Sequence, residues 1–320
     1  MFIKGMTYGW NSTRGSYRQP YALDSLRRLK ETGSEWIALA FYTLQPSIYS
    51  TEIPFDYGAT MTDRDIEFIV KQAHALGLKV CLKPVVNSAD GIWRAHIGFP
   101  EEEGAQPYWA AWFRSYTNFL CHYAELAEEL GCEMFCIGCE MVATEKKTDH
   151  WTAVIERVRQ FYSGPITYNA NHGKEEGVAW FDRVDVIGTS AYYPVAGRPG
   201  DSEEAMAENW LPVRDKLARL HAKFGKPIAF LEIGCRSALG CAMMPWDFSH
   251  RELPASEEEQ ANFYGSVIKT FWEEPWFAGF FWWDWSVKLY PLEAAAANTG
   301  FDIYGKKAEQ VVKEWYAKRR

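Results

Sequence analysis

The chain has 320 residues, is 48% hydrophobic, and carries 42 acidic against 34 basic side chains for a formal net charge of −8. That composition supplies a large core and excludes the basic face that a nucleic-acid partner needs. Nowhere do about 18 apolar residues run together, so no membrane-spanning helix is expected.

The first apolar run, IKGMTYGW (3–10), reads as a strand and leads into the amphipathic stretch PYALDSLRRLKETG. The pattern then repeats. WIALAFY (36–42) precedes TDRDIEFIVKQAHALG, whose Ile66, Ile69, Val70 and Ala73 keep helical spacing. KVCLKPVV (79–86) is followed by a long connection, in which EEEG (101–104) reads as an exposed loop, and then by the helical YWAAWFRSYTNFLCHYAELAEELG. EMFCIGCE (133–140) precedes DHWTAVIERVRQFY. After PITYNAN (165–171), residues 172–184 predict only a weak helix before DVIGTSAYY (185–193). WLPVRDKLARLHAKFG separates that strand from PIAFLEIG (227–234), and SEEEQANFYGSVIKTFW separates the latter from AGFFWWDW (278–285). GKKAEQVVKEWYAKRR is the closing helix. Several helices end in glycine (Gly33, Gly77, Gly131, Gly225), the usual helix stop.

Strands that are apolar on both faces and alternate with helices imply a parallel sheet under a helical layer. Eight such units predict an α/β chain forming a single (β/α)8 TIM barrel over residues 1–320, with a doubly wound open sheet as the runner-up. No G-x-G-x-x-G follows the first strand and no P-loop is present, which disfavours a nucleotide binder.

Two of these strands end on a charge. Glu140 closes the fourth and Glu232 lies near the end of the seventh, and an unpaired buried carboxylate is costly. In a (β/α)8 barrel both would reach the catalytic face from nearly opposite sides. Paired carboxyl groups across a cleft are the apparatus of glycoside hydrolysis, one protonated and one ionised. The plainer alternative is a pair of salt bridges, Glu232 with Arg236 and Glu140 with a lysine such as Lys83. Trp10, Asn87, Asn171, His172 and Tyr192 fall at the same rim, as do the tryptophans of strand eight. Alternation would place Trp283 and Trp285 on one face and Trp282 on the other. Flat aromatic faces and amide groups suit a hydroxyl-rich ligand.

Metal and cofactor chemistry find little footing. Cys136 and Cys139 have C-x-x-C spacing, but on a regular strand they would point to opposite faces, and no second pair exists. The seven histidines form neither H-x-H nor H-E-x-x-H, and G-x-S-x-G is absent. No metal and no cofactor is expected. The amino terminus lacks an apolar signal region and the cysteine count of seven is odd, so a reduced, cytoplasmic protein is expected.

"FCIGCEM", "WRAHI" (93–97), "TYNANH" (167–172), "IGTSAYYP" (187–194), "PIAFLEIGCRS" and "GFFWWDW" together resemble glycoside hydrolase family 113, within the clan of retaining (β/α)8 glycosidases. They occur in order along nearly the whole chain. The resemblance implies an endo-acting β-1,4-mannanase working on mannan or manno-oligosaccharides with retention of configuration. It makes Glu140 the acid/base and Glu232 the nucleophile. It also places Asn87, Tyr192 and Trp283 or Trp285 around the cleaved sugar, with Arg94 in the loop bordering the cleft. Many clan members carry asparagine immediately before the acid/base, bonded to the sugar 2-hydroxyl. Here Cys139 stands there, leaving that contact to another residue such as Asn87 or Asn171. A β-glucan or mixed gluco/mannosidase is the alternative within the class, and a glycan-binding barrel without turnover the alternative outside it.

Overall fold

The computed structural model describes residues 2–54, 60–100, 104 and 106–320. Eight parallel strands close into a barrel in chain order: β1 (Ile3–Tyr8), β2 (Trp36–Gln45), β3 (Lys79–Ser88), β4 (Met134–Cys139), β5 (Ile166–Asn171), β6 (Val186–Ser190), β7 (Ile228–Ile233) and β8 (Phe277–Trp285). The ring is complete because β1 pairs with both β2 and β8. Helices α1 (Pro20–Lys30), α2 (Asp63–Ala75), α3 (Gln106–Glu129), α4 (Thr148–Val158), α5 (Glu203–Phe224), α6 (Glu257–Phe271) and α7 (Lys307–Tyr316) cover it. The expected barrel is therefore present and the open sheet is not.

Strand parity divides the core in two. Ile3, Trp36, Cys81, Met134, Ala229 and Phe281 fill the inside of the barrel. Their neighbours one position along, such as Ile37, Val80, Phe135 and Phe230, belong to the larger layer between sheet and helices. Helix ends follow local chemistry. Thr62 and Asp65 form a reciprocal capping box on α2, and Gly225 stops α5 in the left-handed region at φ 65°, its N–H bonding to His221 O at 2.7 Å.

Some boundaries differ from expectation. Residues 172–184 contain two three-residue 3-10 turns, Glu175–Gly177 and Phe181–Arg183, and no α-helix. Ser190 ends β6 three residues early, because the chain turns there with Tyr192 N on Ser190 O at 2.9 Å. Helix α5 begins at Glu203, capped by Ser202, ahead of the expected stretch that starts at Trp210, and Pro212 lies inside it. The acidic run EEEG falls outside the described residues except for Gly104, which is exposed.

Candidate active site

Both glutamates are placed by strand irregularities. On β4 three steps from Cys136 to Cys139 face two steps on β5 from Thr167 to Asn169, an extra residue of the bulge kind. Cys139 therefore turns inward like Cys136, which is part of the barrel interior. This corrects the expectation that the two thiols oppose each other, since alternation holds only in a regular ladder. Gly138 faces the packed side instead, where a Cβ would meet the Tyr168 ring at 2.8 Å and the Tyr116 hydroxyl at 2.9 Å. Glu140 follows at φ 53°, a left-handed conformation that side chains with a Cβ rarely adopt. Its N–H reaches Asn169 O at 2.7 Å, and the next amide, of Met141, donates to Tyr168 OH at 3.1 Å.

The same device operates on β7. Thr189 and Ser190 of β6 face Phe230 and Glu232, so β7 gains a residue there. Leu231 points inward, and without the shift Glu232 would point out. With it, the carboxyl enters the barrel mouth.

There the two carboxyls meet different surroundings. Glu232 Oε1 is ion-paired with Lys83, accepts from Asn169 Nδ2 at 3.2 Å and from the Cys139 thiol at 3.2 Å; its Oε2 accepts from Tyr192 OH at 3.3 Å. Burial opposes ionisation, but Lys83 and Arg94 outweigh it and hold Glu232 below the usual carboxylate range. Glu140 Oε2 accepts from Arg94 Nη2 at 2.7 Å. Here burial is the larger effect: despite Arg94, and helped by the nearby charge of Glu232, it pushes Glu140 upward. One carboxyl is biased toward the acid, the other toward the anion.

The salt bridges considered from sequence thus exist with other partners. Lys83 belongs to Glu232 rather than to Glu140. Arg236 turns away to Thr299 O at 3.1 Å, His250 O at 2.7 Å and Asp247 at 3.5 Å. Arg94 is the hub, since beyond Glu140 it reaches Cys139 O at 2.9 Å, Cys139 Sγ at 3.3 Å and Asn87 Oδ1 at 3.0 Å.

The remaining predicted residues divide. Trp10 and Trp283 meet edge to face with centroids 5.2 Å apart, Trp10 also lies 5.2 Å from Tyr42, and Arg94 sits 5.9 Å over the Trp10 ring. Asn87 and Tyr192 touch the ionised cluster directly, through Arg94 and Glu232. Asn171 ends β5 and is buried, while His172 lies farther out, stacked on Trp246 at 5.3 Å. Trp285 does not belong to the mouth. The β1–β8 register slips between Met6–Trp282 and Tyr8–Trp285, so Trp282 and Trp285 share the outer face. Trp285 is fully buried and donates to Ser25 Oγ at 3.0 Å and Ser25 O at 3.2 Å.

The family model for glycoside hydrolase family 113 matches residues 6–306. The chain belongs to glycoside hydrolase family 113. A β-1,4-mannanase of this family, solved as a complex, is 37% identical with a TM-score of 0.92, each chain covered over 99% of its length. A β-mannanase of the family from Alicyclobacillus acidocaldarius, solved with ManMIm, is 41% identical at a TM-score of 0.91, covering 99% of this chain and 97% of that one. A β-D-glucuronidase from Dictyoglomus thermophilum shares only 18% identity at a TM-score of 0.66, which is likeness of fold; this chain spans about half of that one, 51%. Comparison with curated proteins returned no match.

At this family 113 site, sequence reasoning named Lys83 only as a partner for Glu140 and did not single out Asn169. Lys83 shares the inward parity of Cys81 on β3, a signal that was open to reading. Asn169 shares parity with Asn171 but lies one inward position deeper, and only the bulge on β4 brings Cys139 and Glu232 to it. Among the described residues no cluster of three or more metal-ligating side chains occurs.

Proposed function

We propose that this chain is a single-domain retaining glycoside hydrolase that cleaves β-1,4-mannosidic bonds in manno-oligosaccharides or mannan. The observation carrying this reading is the opposed environment of the two carboxyls at the barrel mouth: Glu232 favoured as the anion, Glu140 as the acid. In this assignment Glu232 attacks the anomeric carbon while Glu140 gives its proton to the departing oxygen. The glycosyl ester then forms and the charge on Glu232 vanishes. Glu140, now ionised beside Arg94, takes a proton from water as that water attacks the same carbon, and Glu232 leaves as the carboxylate. Lys83 stabilises the anion at the start and at the end.

The family 113 relatives, both mannanases, support mannose as the sugar. Trp10 and Trp283 would offer an apolar wall to a pyranose ring, and Tyr192 and Asn87 polar contacts near the cleaved bond. The odd number of cysteines supports a reducing, cytoplasmic location, with oligosaccharides as the substrate form.

The test is hydrolysis of β-1,4-mannohexaose and cellohexaose, with product lengths followed over time beside Glu140→Gln and Glu232→Gln. Cleavage of the mannose oligomer alone, lost in both variants, is the expected result. Cleavage of cellohexaose at a comparable rate would overturn the sugar assignment, and binding without cleavage of either would overturn the enzymatic one.

A further inference from the structure

The two oxygens of Glu232 are not equivalent. Three donors from three strands converge on Oε1: Lys83 on β3, Cys139 on β4 and Asn169 on β5. Oε2 has one long contact, from Tyr192 OH at 3.3 Å. An oxygen already holding an ammonium, a thiol and an amide has no lone pair left to offer a carbon, whereas Oε2 does.

The proton positions in this cluster follow from elimination. Arg94 Nη2 at 3.3 Å and Asn169 Nδ2 at 3.2 Å can only donate to Cys139 Sγ. The thiol hydrogen is then free for Glu232 Oε1, 3.2 Å away. Burial raises the Cys139 thiol far above its ordinary value, so it stays a donor throughout the working range. Asn169 is oriented by the same logic. Its amide presents NH2 to both the sulfur and the carboxylate, and its Oδ1 is left buried with no partner. The reversed amide would set a carbonyl oxygen against the carboxylate, so the orphaned oxygen is the smaller cost.

We propose that Glu232 attacks through Oε2, and that Cys139 and Asn169 are positioning residues that pin Oε1 and so fix the carboxylate plane with Oε2 toward the sugar. This rests on Glu232 being the nucleophile. The thiol at 139 then has a task of its own, to hold the nucleophile from the strand that carries Glu140. Substitution of its side chain leaves the Arg94 anchor in place, because Arg94 Nε bonds to the backbone carbonyl of Cys139.

Around Glu232 the other charged or titratable groups are Lys83, Arg94, Glu140, Tyr192 and Asp284. Lys83, Arg94 and Tyr192 keep their protons in acid. Asp284, raised by burial and by Asp302 to about 8, is neutral there as well. The acid limb of kcat/KM thus reports Glu232.

Two measurements test the proposal. In the first, Cys139→Ala is expected to move the acid limb up by about half a pH unit or more, as Asn169→Ala should, while Cys139→Ser, which keeps a donor, leaves it at the wild-type position. An unmoved limb in folded Cys139→Ala, or an equal shift in Cys139→Ser, overturns the positioning role. In the second, the wild-type enzyme is trapped with a 2-deoxy-2-fluoro-mannosyl fluoride and its crystal structure determined. The sugar is expected on Oε2. An ester through Oε1 overturns the proposal while leaving Glu232 as nucleophile; failure to label Glu232 at all overturns the functional reading and this inference with it.

Discussion

Arg94 Nη2 lies 2.7 Å from Glu140 Oε2, yet Glu140 titrates above an ordinary carboxyl. Burial exceeds the attraction, and the arginine is left as a clamp on a carboxyl biased toward its acid form. Arg94→Ala removes a charge that lowers the Glu140 pKa, so that pKa rises further. In the proposed role Glu140 is needed in its acid form, so it then remains active to higher pH and the alkaline limb of kcat/KM moves up. At the same time Glu140 loses its fixed position, and kcat on manno-oligosaccharides is expected to fall about 100-fold. A pH–rate profile with the limb unmoved or lowered would contradict this.

Lys83 acts on the other carboxyl with the opposite sign. Lys83→Met leaves Glu232 buried with Arg94 as the nearest cation, so its pKa rises and the acid limb shifts toward neutrality. Breaking a buried pair by deleting one partner typically costs about 3–5 kcal/mol. Urea unfolding at pH 7 should show a loss of that order. As the pH falls and Glu232 is protonated in the variant, the stability difference from wild type should narrow.

The tryptophans of β8 should separate cleanly. Trp283→Ala removes half of the Trp10–Trp283 wall and is expected to lower kcat/KM about tenfold with little change in thermal stability. Trp285→Ala empties a buried site and leaves Ser25 without its indole donor, which predicts a loss of about 3–5 kcal/mol in stability. Ligand affinity measured well below the unfolding temperature should be close to wild type.

Below Glu140 lies another buried carboxyl, that of Glu145. Tyr168 OH donates to Glu145 Oε1 at 2.6 Å while accepting from Met141 N–H, so it ties the left-handed turn at Glu140 to the α4 side of the barrel. Burial pushes Glu145 up to about 7. A carboxyl raised in the folded state favours folding in acid, and that contribution is lost as pH rises from the unfolded value near 4.5 through 7. Glu145→Gln keeps an acceptor for Tyr168 and never ionises. It should therefore be more stable than wild type above pH 7, by up to roughly 3 kcal/mol, with the advantage vanishing near pH 4. Tyr168→Phe should instead slow hydrolysis of oligosaccharides more than of aryl mannosides with good leaving groups, which need less help from Glu140.

The fold and the placing of Glu140 and Glu232 at the barrel mouth were open to reading in the sequence, because both depend on local rules. Apolar runs of strand length, helical spacing between them and glycines at the helix ends specify eight βα units, and the barrel places the ends of strands four and seven at one mouth. What alternation could not supply was which side chains face that mouth. Bulges on β4, β7 and β8 arise from pairing between distant strands, and each reverses the parity beyond it. They turn Cys139 and Glu232 in and Trp285 out, and they bring Asn169 into contact with both of the former. Ion pairing was likewise a tertiary decision. Lys83 is 149 residues from Glu232 in sequence and reaches it only across the closed barrel. The carboxyls themselves stand in the sequence, while the bias of each toward acid or anion is set by neighbours that only closure of the sheet assembles.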